Sequence, residues 1–234
     1  MNTNQPTTTQ PTTTLAQLRA LAERGEQLAP PEIGGIFHAH LTVTVDAEQL
    51  PALRELCRRQ GVKLTIVDLE NETRQQRDVM TTSYYRETAP GSVGRIIEQL
   101  GALATVHEDH DYPVVRAKLE HETRPTVTRF SRAQYHEVHI KLAIPADRFE
   151  ARRRELATMA QTLGFVASSN PRERKSGLVM QFVNLRIYDG DQAAADRRVR
   201  ELVEHLEAAD FTVRETKQET VIFDTHLELD AWWA

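Results

Sequence analysis

An α+β fold is predicted: two tandem ferredoxin-like β-α-β-β-α-β repeats forming a pseudo-dimer, with antiparallel sheets that carry helices on one face. Three observations predict it. The chain repeats its pattern at a spacing of roughly 100 residues. The strand "IFHAHLTVTV" (36–45) alternates apolar and polar residues strictly, and its match "HEVHIKLAI" (136–144) sets Glu137, His139 and Lys141 against Val138, Ile140 and Leu142. Each of these strands runs into a segment of helical periodicity that ends at a glycine, Gly61 or Gly164.

The elements follow in order. Residues 1–14, "MNTNQPTTTQPTTT", are too poor in apolar groups to offset the entropy of ordering and are expected to form a disordered tail. The segment 15–35 is an N-terminal helix and linker, with Leu15, Leu18 and Leu21 on one side and "APPEIGG" as the break. Repeat 1 spans 36–122, residues 123–134 join the halves, and repeat 2 spans 135–234. The first helices are "DAEQLPALRELCRRQG", with Asp46 and Gln49 at capping-box spacing, and "PADRFEARRRELATMAQTLG", with Pro145 near its first turn. Second strands "VKLTIVDL" and "FVASS" come next, then third strands "DVMTTSYYR" and "LVMQFVNLR", which place Met80 opposite Met180 and Arg86 opposite Arg186. Second helices "SVGRIIEQLGALA" and "ADRRVRELVEHLEAAD" lead to fourth strands "PVVRAKLEHE" and "TVIFDTHLELD", matched at Leu119-Glu120 and Leu227-Glu228. On this alignment the offset drifts from 99 to 108.

Composition narrows the function classes. The chain has 234 residues, a net charge of −5 and a pI near 6.0, so no global basic field of the kind that binds nucleic acid is present. Its single cysteine, Cys57, sits among Leu53, Leu56 and Arg58 and reads as a small buried hydrophobe. No apolar run has the length of a membrane span, and the first residues lack both the basic patch and the apolar core of a signal peptide; a cytoplasmic location is expected. No Gly-rich phosphate loop, GxSxG elbow, HExxH helix or Cys–His pair occurs.

The open faces of the predicted sheets carry the chemistry. Strand one presents His38 and His40, and its copy presents Glu137, His139 and Lys141. The fourth strand presents Arg116, Lys118, Glu120 and Glu122, and its copy Asp224, His226, Glu228 and Asp230. In a 4-1-3-2 sheet these rows are neighbours, with Arg86 and Arg186 arriving on the third strand. If the two sheets fold toward one another, the rows line a wet cleft whose groups shift each other's pKa values. His40 and His139 are then the acid/base candidates. His38, Arg86, Arg116, Lys118, Lys141, Arg186 and His226 would bind an anionic, phosphate-like ligand, and Glu120, Glu137 and Glu228 would hold Mg²⁺ or Mn²⁺. A phosphohydrolase or another phosphate-ester or nucleotide-processing enzyme fits this pattern. The competing reading is a non-catalytic ligand sensor or interaction scaffold, self-associating or not, whose charges are merely solvated.

"EVHIKL" (137–142) resembles the ExExK strand that opens the triphosphate tunnel metalloenzymes of the CYTH type. "RAKLEHE" (116–122) is similar to the alternating basic and acidic strands that line their tunnel. Glu137 and Lys141 match the outer motif positions, His139 replaces the middle glutamate, and residues 38–42 retain none of the three. The resemblance implies an antiparallel barrel closed around a triphosphate, with carboxylates for a divalent metal.

Among the remaining signals, "HEDHDYP" (107–113) reads as a polar surface loop without zinc spacing. His121 and His136 fall on the apolar side or at strand ends, "NPRERKSG" (170–177) reads as a solvated hairpin tip, and Trp232 and Trp233 as cover for an apolar edge or a partner surface.

Overall fold

The computed structural model describes residues 13–24, 28, 34–70, 75–87, 92–122, 134–175, 177–188 and 192–229. They form α1 (Thr14–Ala22), β1 (Gly35–Val43), α2 (Leu50–Gln60), β2 (Lys63–Glu70), β3 (Gln75–Glu87), α3 (Ser92–Glu108) and β4 (Val114–His121). The second half contributes β5 (Tyr135–Pro145), α4 (Phe149–Leu163), β6 (Val166–Lys175), β7 (Leu178–Ile187), α5 (Gln192–Ala208) and β8 (Thr212–Asp224). The fold is therefore α+β, with five helices and an eight-stranded antiparallel sheet among the described residues. The tail and interhalf linker expected at 1–14 and 123–134, and Trp232 and Trp233, lie outside them apart from Thr13, Thr14 and Gln134.

The sheet is not two open faces but one closed barrel, in the order β1-β3-β2-β6-β7-β5-β8-β4. Within each half the first strand lies between the third and fourth, and the third lies between first and second. The halves join through two seams. At one, β2 pairs with β6 at Asp68–Ser169 and Leu69–Ser168; at the other, β4 pairs with β8 from Lys118 to His121. Period-two alternation then sends one face of every strand outward and the other into the barrel.

Helices coat the outside, and the apolar core lies between them and the barrel wall. Phe37, Ala39, Leu41, Ala117 and Leu119 pack with Leu53, Leu56, Ile96, Ile97 and Leu100; Val138, Ile140, Leu142, Val183 and Leu185 pack with Leu156, Val199, Leu202 and Leu206. α1, capped by the Thr13 side chain on the Ala16 N–H, lays Leu18 on α3 and β4. α2 starts later than its sequence predicts: Gln49 Oε1 accepts the Asp46 N–H at 2.9 Å, but the helix begins at Leu50 with Gln49 as its N-cap. α2 and α4 stop at Gly61 and Gly164, at φ +68° and +66°, a left-handed conformation that costs glycine little. Cys57 is buried on α2, and burial pushes its thiol up to about 11, so it is an inert hydrophobe. No described helix is long and apolar enough to cross a membrane.

His107 departs from expectation. It belongs to the last turn of α3, not to a surface loop, and is fully buried with Nε2 3.4 Å from Thr81 Oγ1. Burial, with His110 nearby, holds its pKa down at about 4 against an ordinary 6.5. The unfolded chain therefore takes up this proton first, and stability falls as pH drops through 6.5, levelling off below 4. Between pH 7 and pH 5 the loss from this residue is expected to be about 2 kcal/mol. Urea unfolding at the two pH values should show His107→Leu losing that much less than the parent chain; equal losses would mean His107 does not stay neutral in the fold. His121 and His136 are buried on the helix-facing side, as their strand phase requires.

Candidate site inside the barrel

β1 carries His40 into the interior, in register with Lys118 of β4 on one side and Thr82 of β3 on the other. Its Nε2 lies 3.0 Å from Glu120 Oε2 and its Nδ1 3.1 Å from Thr82 Oγ1. Lys118 Nζ reaches Glu120 Oε1 at 2.5 Å and Glu137 Oε2 at 2.6 Å, and Arg186 Nε lies 3.2 Å from Glu137 Oε1. β5 repeats the arrangement. His139 is in register with Lys217 of β8 and Asn184 of β7. Its Nε2 is 3.4 Å from Glu219 Oε2, and its Nδ1 donates to Asn184 Oδ1 at 2.7 Å. Asn184 is oriented for this by donating its own amide to Ser168 Oγ at 2.7 Å. Glu219 also engages His38 Nδ1 at 2.8 Å and Lys217 Nζ at 2.9 Å.

Electrostatics follow from this interleaving. Burial favours the neutral form of each group, yet the paired charges outweigh it. Lys118 and His40 hold Glu120 far below the usual carboxylate range, and His139, His38 and Lys217 do the same for Glu219. Glu137 falls to about 2 beside Lys118 and Arg186, and Lys118 rises above its ordinary value. His139 faces acceptors at both ring nitrogens; despite burial, the Glu219 hydrogen bond and the Glu137 and Glu120 charges raise it to about 9. A separate buried unit closes the β4/β8 seam. Arg116 grips Asp224 through Nε–Oδ1 at 2.9 Å and Nη2–Oδ2 at 2.5 Å, and the Tyr135 hydroxyl donates to Asp224 Oδ2 at 2.9 Å. Burial would raise the Asp224 carboxyl, but Arg116 lowers it.

These groups surround a cavity of ≈ 330 Å³. Its wall divides into two arcs. From β1, β4, β8 and β5 come His38 and His40, then Arg116, Lys118 and Glu120, then Glu215, Lys217 and Glu219, then Glu137, His139 and Lys141, all ionisable. From β3, β2, β6 and β7 come Met80, Thr82 and Tyr84, Thr65 and Val67, Ser168, and Phe182 and Asn184, with Asp78, Lys63 and Arg186 as the charged exceptions.

The sequence-predicted residues His38, His40, Arg116, Lys118, Lys141, Arg186, His139, Glu120 and Glu137 all line this one cavity. Three do not. Arg86 is exposed near the end of β3, opposite Ile36, and does not line the cavity. His226 and Glu228 follow the end of β8: the Asp224 side chain accepts the His226 N–H at 3.0 Å, a turn that takes the chain out of the sheet. His226 Nδ1 then lies 2.9 Å from the Val115 carbonyl, and Glu228 is exposed. The inward groups of β8 are instead Glu215, Lys217 and Glu219. Their signal was present: Lys118-x-Glu120 recurs as Lys217-x-Glu219, 99 residues later, the same offset that relates His40 to His139. The third strands are likewise offset by 102, with Thr82 and Asn184 in matching positions, so Tyr84 and not Arg86 corresponds to Arg186.

Two trios, His38/Glu120/Glu219 and Glu120/Glu137/His139, bring ligand atoms within 4.8 Å of one another. The donor types suit a divalent cation. The charges do not: the Lys118 ammonium already bridges Glu120 and Glu137, Lys217 holds Glu219, and His139 carries protons on its nitrogens. Cations of the chain itself thus already hold these donors, and the residues present fit a metal poorly.

No protein-family model matches the chain, and no curated protein is detectably similar to it.

Proposed function

We propose that the barrel interior binds a small phosphorylated or similarly anionic molecule, and that His40, paired with Glu120, is the group that exchanges a proton with it during turnover. One observation carries this reading: every cavity-lining residue of four consecutive strands is ionisable. An eight-stranded barrel is normally filled by side chains or shaped around one small ligand. Filling it with apolar groups would stabilise the fold as well or better, so buried charges kept beside an unfilled cavity speak for a ligand. Six Lys/Arg side chains face five carboxylates across the wall, and a charged His139 tips the balance toward an anion.

Two related readings belong with it. The two halves are ferredoxin-like units, supported by their common strand order and by the recurring His and Lys-x-Glu positions. Kinship with the triphosphate tunnel enzymes is supported by the closed antiparallel ring and by Glu137, His139 and Lys141 all facing the cavity. A scaffold with solvated charges is less well served, since His40 and His139 share one enclosed space.

Thermal denaturation with millimolar pyrophosphate or methyl phosphate, at matched ionic strength, tests the proposal. The melting temperature is expected to rise by a few degrees, by mass action on the native state. Lys141→Gln should lose most of that rise, and EDTA should leave it unchanged. A flat response to every anion tried would remove the anion reading, and a rise that EDTA abolishes would replace it with a metal-dependent one.

A further inference from the structure

The two arcs of the cavity differ in kind, and the proposed anion needs only one of them. On the far arc Met80, Val67 and Phe182 are half-buried and face the space with carbon and sulfur. Where the arcs meet, a charged or imidazole side chain stands against an aromatic ring. Lys141 of β5 holds its ammonium 5.4 Å from the centre of the Phe182 ring on β7. Across the barrel, His38 of β1 meets Tyr84 of β3 edge-on at 4.7 Å, beside a mouth where Tyr84 is 57% exposed. A ligand anchored by Lys141 therefore has Phe182 beside it, with Met80 and Val67 on the same arc. Water against these three side chains gains few hydrogen bonds, whereas a flat apolar group gains burial and aromatic contact there.

Resting on the anion reading above, we infer that the occupant is a phosphate ester of an aromatic or heteroaromatic group, with its charge on the β5-β8-β4-β1 arc and its ring between Met80, Val67 and Phe182. A cavity of ≈ 330 Å³ accommodates a ring and one anionic group together.

Isothermal titration with phenyl phosphate and methyl phosphate at pH 7.5 isolates the ring, because the two probes share a head group. Phenyl phosphate is expected to bind about tenfold more tightly or better. Phe182→Ala should bring the two affinities within about threefold, chiefly by weakening phenyl phosphate. Should that variant fail to fold, Met80→Ala serves, and the parent chain's preference alone already decides the question. Equal affinities for the two esters would overturn this inference and leave the anion site standing. Binding of neither would overturn both.

Discussion

Arg116→Met should be the most damaging single substitution in the barrel, with an expected loss of about 3–5 kcal/mol of stability in urea unfolding. Both partners of the Arg116–Asp224 pair are almost completely buried, and Asp224 receives two guanidinium bonds and the Tyr135 hydroxyl. Removing the cation leaves a carboxylate out of water with two neutral donors, the Tyr135 hydroxyl and the His226 N–H. The carboxyl pKa would then move up with burial, so acidification toward pH 4 should narrow the gap between variant and parent. Replacing both partners, as Arg116→Met/Asp224→Leu, should recover much of the loss because no unpaired charge remains. A single variant that loses less than about 1 kcal/mol would show that water reaches this seam.

The second large effect is a dependence on alkaline pH. His139 titrates near 9 in the fold and near 6.5 when unfolded. Its stabilisation is complete below pH 6.5 and is lost as pH rises through 9. A shift of this size corresponds to about 3 kcal/mol, reduced toward 2 because the side chain is 28% exposed. The parent chain should therefore weaken by about 2–3 kcal/mol more than His139→Gln between pH 6.5 and pH 9.5, the buried Cys57 thiol giving both chains the remaining slope. Lys118 and Lys217, both raised above their ordinary values, titrate beyond this window and do not obscure it. Parallel profiles would mean that Glu219 does not hold a charged imidazole. Methyl phosphate affinity should fall over the same range as the wall loses a cation.

What could be read from the sequence was whatever depends on strand phase. Alternation assigned His38, His40, Glu137, His139, Lys118 and Glu120 to one face, and that face is the barrel interior. Barrel closure was not legible, because the seam pairs Asp68–Ser169 and Lys118–Asp224 join residues with no periodic relation. The fourth strand of the second half was misplaced for a physical reason. "TVIFDTHLELD" looks like a strand by composition, but the Asp224 side chain ends it, while the polar run "RETKQE" is the true inward stretch. A strand whose inner face is charged has no apolar run to advertise it. A register shift between Leu119 and Glu120 then changes phase, so that Glu219 lines the cavity while Asp224, of opposite parity, meets Arg116 and Tyr135.

The β4/β8 seam also sets an order in time. During synthesis the ring cannot close until Thr212–Asp224 has left the ribosome, because β8 alone pairs with both β5 and β4. Until then β4 offers an unpaired edge, open to any other extended chain. Closure joins segments about a hundred residues apart in sequence, and such non-local pairing makes for slow folding. The last of the eight barrel strands to be made is thus the one that turns an aggregation-prone sheet into a vessel.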